Sequence, residues 1–434
     1  MIATACIAGA AFLLLTLSIL FLPTLRLGKL RLSTYWIVAL VGAVVLVACG
    51  FASPKNIWEH LTATGDVNPL KILALFFSMT FLSVYLDEVG LFRHLASVCA
   101  GRAGHSQWSL FFVLYALTAV LTVFTSNDVV ILTLTPFICF FCKNTDVDPV
   151  PYLVGEFAAA NTWSMMLVIG NPTNVYLSTY WGIGFVEYCK VMALPTVAAG
   201  VAQVLIIALV FWRKLRRPLS GNTQLYAIES KPDLAVGLAH LLLCLAFLVA
   251  SGYVGIPMWL VAVAAALSLG VCAVVVRLVT RGGWGYLGHT LARLPWQLVP
   301  FVLSMFVIVI ALDTQGVSGE IARVLGQNAP IWAYGGASAV ASNLINNIPM
   351  SILFATLPQS LPAMQARQAV FATIVGSNVG AFLTPIGALA GIMFTSLIAR
   401  YQVKYGFRQF IGYGLLVGLP TLAAALGVLC ATVR

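Results

Sequence analysis

Apolar runs of helical length, separated by short polar segments, recur along the chain. Runs at 2–23, 35–52, 70–90, 191–212, 234–251, 255–276, 296–312 and 411–432 each predict a helix able to cross a bilayer, which takes about 20 residues. The weak alternating pattern of a membrane barrel is absent. Two further stretches, 107–177 and 331–398, are apolar overall but broken by Asn, Ser, Gly and Pro. The longest polar segment, Arg213 to Asp233, is too short for a folded domain, so one all-α polytopic membrane domain fills the chain. The N-terminus lacks the positive region of a cleavable signal peptide, and its run is read as the first helix.

Composition agrees: 61% of the 434 residues are hydrophobic and 8% are charged, where a soluble domain carries about a quarter charged. The formal charge of +10 does not indicate nucleic acid. Its Lys and Arg sit in short loops, where they orient the chain and meet anionic lipid. The nine Cys are scattered, and no spacing indicates a zinc site or a disulfide framework. Cys139 and Cys142 are read as small packing residues.

Loop charge sets the topology. Arg26, Lys29 and Arg31 place the first loop inside and the N-terminus outside; Arg93 and Arg102, then Arg213, Lys214, Arg216 and Arg217, mark inside again. Region 107–177 lies between two inside signals and precedes one crossing helix, so it contributes a single net crossing. That predicts a re-entrant hairpin from the cytoplasmic side, its tip near Ser126-Asn127-Asp128, followed by a broken crossing helix at 152–177. Arg277, Arg281 and Arg293 return inside, Asp313 and Glu320 mark outside, and Arg400, Lys404 and Arg408 are inside. By the same reasoning, 331–360 is a hairpin from outside with its tip near Asn346-Asn347, and 368–398 is a broken crossing. Each half has five crossings and one hairpin, and an odd number inverts the second half. The expected division is an N-terminal repeat at 1–212, a cytoplasmic linker at 213–233 and an inverted C-terminal repeat at 234–434, with both termini outside the plasma (inner) membrane. Inverted repeats with helices broken at the midplane are a build of secondary transporters.

Four polar clusters interrupt the apolar runs: Thr125-Ser126-Asn127-Asp128; Gly170-Asn171-Pro172-Thr173-Asn174; Asn343 with Asn346, Asn347 and Pro349; and Gly376-Ser377-Asn378 with Thr384-Pro385-Ile386-Gly387. Pairing Asn127 with Asn346 and Pro172 with Pro385 gives offsets of about 219 and 213. Gly, Asn and Pro free backbone groups at half-helix ends, which then bind anions, oxygen-rich ligands or cations. Ser126, Asn127, Asn171, Thr173, Asn174, Asn346, Asn347, Ser377, Asn378 and Thr384 are the candidate solute-binding residues, suited to a polar solute of low charge. Intramembrane carboxylates are costly and mark function, which makes Asp128 and Glu156 the candidate coupling residues. Asp87 and Glu88 end a helix and are read as solvated.

At these motifs the chain resembles the ion transporter superfamily, and within it the arsenite-efflux permeases, the ArsB-like branch. The likeness rests on Ser126-Asn127-Asp128 with Leu134-Thr135-Pro136, Leu294-Pro295-Trp296-Gln297, Asn346-Asn347-Ile348-Pro349 and Leu383-Thr384-Pro385-Ile386-Gly387. It implies opposed hairpins, a homodimer and export of arsenite or antimonite driven by the proton gradient, with an energising ATPase subunit as a further partner of an arsenite pump. The Gly170–Asn174 element looks more like sodium/proton antiporters and citrate permeases, so sodium coupling and a carboxylate solute stand as the alternative. No catalytic set is expected: His60, His94, His105 and His289 fall in loops or at helix ends, and His240 is isolated. No cofactor and no resident metal are expected.

Overall fold

The computed structural model describes every residue except 23, 28–29, 63–67, 220–224, 281–284, 327 and 434. The orientation cues Lys29 and Arg281 lie outside the described residues. In the first half, α1 (Ile2–Phe21) leads through a two-stranded ribbon, β1 (Thr24–Leu27) and β2 (Leu30–Ser33), into α2 (Thr34–Ala48). Next come α3 (Pro54–Thr62), α4 (Pro69–Glu88), α5 (Leu91–Arg102), α6 (Gln107–Phe124) and α7 (Asn127–Asn144). The half continues with α8 (Val150–Trp163), α9 (Pro172–Tyr180) and α10 (Phe185–Val210). One short helix, α11 (Trp212–Leu215), separates these from α12 (Lys231–Val254), α13 (Met258–Thr280), α14 (Gly285–Arg293), α15 (Leu298–Thr314) and α16 (Val317–Leu325). The last five are α17 (Pro330–Ile345), α18 (Asn347–Thr356), α19 (Ala363–Gly380), α20 (Leu389–Arg400) and α21 (Phe407–Thr432).

The protein is an all-α polytopic membrane protein whose order of elements repeats. α1 to α10 and α12 to α21 run in the same sequence: two apolar helices, a short one, a buried one, a second short one, a hairpin, a broken helix and a long closing helix. Packing follows the pairing. α2 lies on α15 as α13 lies on α4, α7 lies on α20 as α18 lies on α9, and α10 packs on α21. The ribbon and the short helices α3, α5, α14 and α16 were absent from the sequence expectation, and the span expected at 35–52 is shorter, ending at Ala48.

Helix starts follow local chemistry. Asn68 caps α4 by accepting from the Leu70 N–H at 2.8 Å, with Pro69 in the first turn. Asn171 caps α9 in the same way, accepting from Thr173 N–H at 3.1 Å ahead of Pro172. Pro suits the first turn because its missing N–H has no helical partner there. Leu242, Leu243 and Phe247 on α12, and Leu267, Val271 and Val275 on α13, are exposed. Such surfaces suit lipid. By contrast α8 along almost its whole length and α19 from Ala369 onward are buried and form the centre.

Both ends of the α6/α7 hairpin return to the segment around α11. Gln107 donates to the Pro218 carbonyl at 3.1 Å, and Asp148 pairs with Lys214 at 2.6 Å. At the other end of α8–α9, Trp181 donates to the Ala355 carbonyl at 3.1 Å, at the base of the α17/α18 hairpin. α17 and α19 approach closely on small residues. A Cβ at Gly380 would lie 2.6 Å from the Ala339 Cα, and small residues permit such backbone contact between membrane helices.

Asp87 and Glu88 are not solvated. Asp87 is 2% exposed and pairs with Arg293 at 2.7 Å, and Glu88 also meets Arg293 and lies 3.5 Å from His289. The amphipathic helix α14, which delivers Arg293 and His289, is what the apolar pattern around 285–293 concealed.

Candidate functional site

The two broken helices are built alike. α8 ends at Trp163 and α9 starts at Pro172; α19 ends at Gly380 and α20 starts at Leu389. Both pairs are 217 positions apart, and both gaps hold eight residues. In each gap a glycine folds onto the carbonyl six residues earlier. A Cβ at Gly387 would lie 2.7 Å from the Ala381 oxygen, and one at Gly170 would collide with the Ser164 oxygen. This register replaces the pairing of Pro172 with Pro385. It makes Asn161 the counterpart of Asn378, and the Asn171–Asn174 cluster the counterpart of residues 388–391.

The breaks meet at the centre. Asn378 Oδ1 accepts from Ser164 Oγ at 2.8 Å and Asn171 Nδ2 at 3.0 Å, while its Nδ2 donates to Asn174 Oδ1 at 2.7 Å and the Ile374 carbonyl at 2.8 Å. Thr173 and Ser377 share a hydroxyl contact at 2.9 Å, and Asn174 Nδ2 donates to the Ser164 carbonyl at 2.8 Å. All of these side chains are buried. The structure thus joins Asn171, Thr173, Asn174, Ser377 and Asn378 into one network whose hydrogen-bonding capacity is largely spent within the protein. Ser164 belongs to it and was not singled out from sequence.

The second hairpin tip docks on the second break. Asn346, at φ 72°, donates from Nδ2 to the Ile386 carbonyl at 3.0 Å and accepts from Ile348 N–H at 3.3 Å. The Asn347 N–H donates to the Gly387 carbonyl at 2.9 Å, and Thr384 Oγ1 donates to Asn343 Oδ1 at 2.7 Å. Positive φ is uncommon outside glycine, and Asn tolerates it best. Thr16 of α1 donates to the Leu344 carbonyl that the tip leaves free.

The first tip is held more loosely. Asn127 Oδ1 accepts from the Asp128 N–H at 2.9 Å, and Asn127 Nδ2 reaches Asn161 at 3.4 Å. Asn161 stands in an apolar run with no Gly or Pro beside it; the helix-end register, which pairs it with Asn378, is the signal that finds it. Ser126 Oγ is buried without a partner among the described residues. Ser126 and Asp128 line a cavity of about 640 Å³ whose wall also carries Arg293 and Arg400. The polar clusters themselves hold no cation, but the cavity does. Glu156 lies apart: it is 2% exposed and receives Thr135 Oγ1 at 3.1 and 3.0 Å on its two oxygens. Asp128 and Glu156 are therefore separate: Thr135, which holds Glu156, stands two turns further along α7 than Asp128, and Glu156 does not line the cavity. Trp163 packs into the core, donating to Tyr115 Oη at 3.3 Å.

Comparison with known proteins places this geometry. The citrate transporter family matches residues 19–376. The arsenical pump membrane protein of Escherichia coli K12 is 27% identical, over 98% of both chains, and the putative arsenical pump membrane protein of Bacillus subtilis is 22% identical, over 86% of this chain and 89% of that one. The solved YdaH transporter of Alcanivorax borkumensis shares the fold at 16% identity, with a TM-score of 0.55 over 99% of this chain and 98% of that chain. The repeated helices, the hairpin tips and these likenesses converge: the chain belongs to the citrate transporter family and is an ArsB-like member of the ion transporter superfamily, a multi-pass membrane secondary transporter.

Proposed function

We propose that this chain exports arsenite or antimonite, as the uncharged acid, in exchange for protons. The observation that carries the reading is Asp128, a carboxylate in the first turn of α7 that faces the cavity beside an unpartnered Ser126 hydroxyl. A small acid rich in hydroxyls suits that lining, and a carboxylate in the same cavity suits a proton that travels the other way. The full-length arsenical pump relatives support the solute. The two halves are inverted across the plasma membrane, with the Arg213–Arg217 end cytoplasmic and both termini outside, so the cavity opens inward. A homodimer and an energising ATPase partner remain expectations of the resemblance. The test is expression in an arsenite-sensitive host lacking its own pump: survival rises and cell arsenic falls. Unchanged survival with unchanged accumulation rejects the reading.

The second reading is sodium-coupled carboxylate transport. Arg400 on the cavity wall favours it, since it can meet an anion, whereas Arg293 is already engaged by Asp87 and Glu88. Citrate flux into vesicles that requires sodium would select it over the first.

A further inference from the structure

Hydroxyls on membrane helices have a default partner, the carbonyl four residues back. Ser83, Thr118, Thr133, Thr196, Thr373 and Thr421 all use it here, at 2.7 to 3.0 Å. Thr80 does not. Its side chain is 5% exposed, and its Oγ1 has no partner among the described residues. A buried polar group without a partner requires an explanation, because leaving it so is costly.

Place supplies the explanation. Thr80 stands on α4, which packs on α7. With Phe76 and Val84, four residues to either side, it presents one stripe of α4 to the cavity that Ser126 and Asp128 enter from α7. Thr4, Thr122 and Thr179 also carry buried hydroxyls without partners, but none of them lines this cavity. Thr80 and Ser126 are the two that do, among the described residues, and they come from different helices.

We infer that Thr80 is a solute-contacting, specificity-determining residue: its hydroxyl forms a second wall of the site, facing the solute held by the Ser126–Asp128 tip. The inference rests on the proposed inward-open cavity and extends it. A hydroxyl that donates and accepts selects a solute whose own hydroxyls do both, an undissociated oxyacid ahead of a polycarboxylate. The α4 wall then adds a second unpartnered hydroxyl to that of Ser126.

Initial rates of labelled arsenite and citrate uptake into everted vesicles test it. Thr80→Val keeps the shape and removes the hydroxyl; the KM for the transported solute rises about five- to tenfold, as for one lost hydrogen bond, with kcat within about twofold. Thr80→Ser restores the KM. Thr122→Val, an equally orphaned hydroxyl away from the cavity, leaves it unchanged. An unshifted KM in Thr80→Val, or an equal shift in Thr122→Val, overturns the inference. Wild-type vesicles that move citrate and not arsenite reject the proposed solute, and the same variants then decide Thr80 on citrate. If neither solute moves, Thr80→Cys and Ser126→Cys in a chain otherwise free of cysteine are treated with a small polar thiol reagent from the cytoplasmic side. Labelling of both at similar rates supports a shared cavity wall, and an inert Thr80→Cys overturns it.

Discussion

Asn378 and Asn174 tie the two halves of the chain together through one hydrogen bond, Asn378 Nδ2 donating to Asn174 Oδ1 at 2.7 Å. Asn378 also accepts from Asn171, so Asn378→Ala strands two buried polar groups, Asn174 Oδ1 and Asn171 Nδ2, while the Ser164 hydroxyl keeps the Asn161 carbonyl at 2.7 Å. Each such group costs about 1–3 kcal/mol when left unsatisfied. Unfolding in mild detergent should show a loss of that order, and a double-mutant cycle with Asn174→Ala should return a coupling of about 1 kcal/mol or more. A cycle that closes additively means the bond does not hold the halves together.

How far the sequence exposed this arrangement differs by level. Hydropathy located the long helices because lipid demands apolar runs, and the polar motifs at Ser126-Asn127 and Asn346-Asn347 located the two hairpin turns. It could not show the amphipathic helices α3, α5, α14 and α16, which lie outside the apolar pattern. The Asn and Thr clusters were visible, yet their division of labour was not: Asn171, Asn174 and Asn378 spend themselves on each other, while Ser126 and Asp128 face open space. Composition names groups able to bind a solute, but only packing says which remain unpaired. Asp87 illustrates the same limit, since its partner Arg293 is some two hundred positions away.

The glycines of the two breaks should fail together. A Cβ at Gly170 collides with the Ser164 backbone, and one at Gly387 lies 2.7 Å from the Ala381 oxygen. Backbone cannot step aside as a side chain does, so overpacking costs about 1–3 kcal/mol or more at each. Gly170→Ala and Gly387→Ala should lower folded yield and detergent melting temperature, while Gly252→Ala, which meets nothing within 4 Å, leaves both unchanged. A Gly387→Ala protein as stable as wild type would dismiss the shared geometry.

Arg293 offers a contrast in ion pairs. It answers a nearly buried Asp87 and a mostly buried Glu88, whereas Lys214 and Asp148 are each about 40% exposed. Removing one partner of a buried pair leaves an uncompensated charge, at about 3–5 kcal/mol for full burial; Arg293 is one-third exposed, so the loss should fall below that range. The exposed pair contributes at most about 1 kcal/mol. Thermal unfolding should therefore rank Arg293→Gln well below Lys214→Gln, with Asp87→Asn added to Arg293→Gln recovering part of the loss. Equal melting temperatures for the two single variants would refute the ranking.

Asp128 carries the coupling argument. It sits in the first turn of α7 and opens on the same cavity as Ser126, with no salt bridge among the described residues. A carboxylate at membrane depth is expensive to keep unless it acts, and in an exchanger its action is to alternate between binding a proton and releasing it. Asp128→Asn preserves size and hydrogen-bonding shape while removing the titration. In everted vesicles holding an acidic interior, the wild type should accumulate arsenite and dissipate the pH gradient as it does so. The variant should do neither, its transport rate should become flat across the neutral pH range, and solute–solute exchange without a gradient should persist. Glu156→Gln tests the alternative seat of coupling, because Glu156 is enclosed with Thr135 away from the cavity. If Asp128→Asn still concentrates arsenite against its gradient while Glu156→Gln cannot, the proton is carried at the enclosed Glu156, two turns further along α7, and the role assigned to Asp128 is wrong.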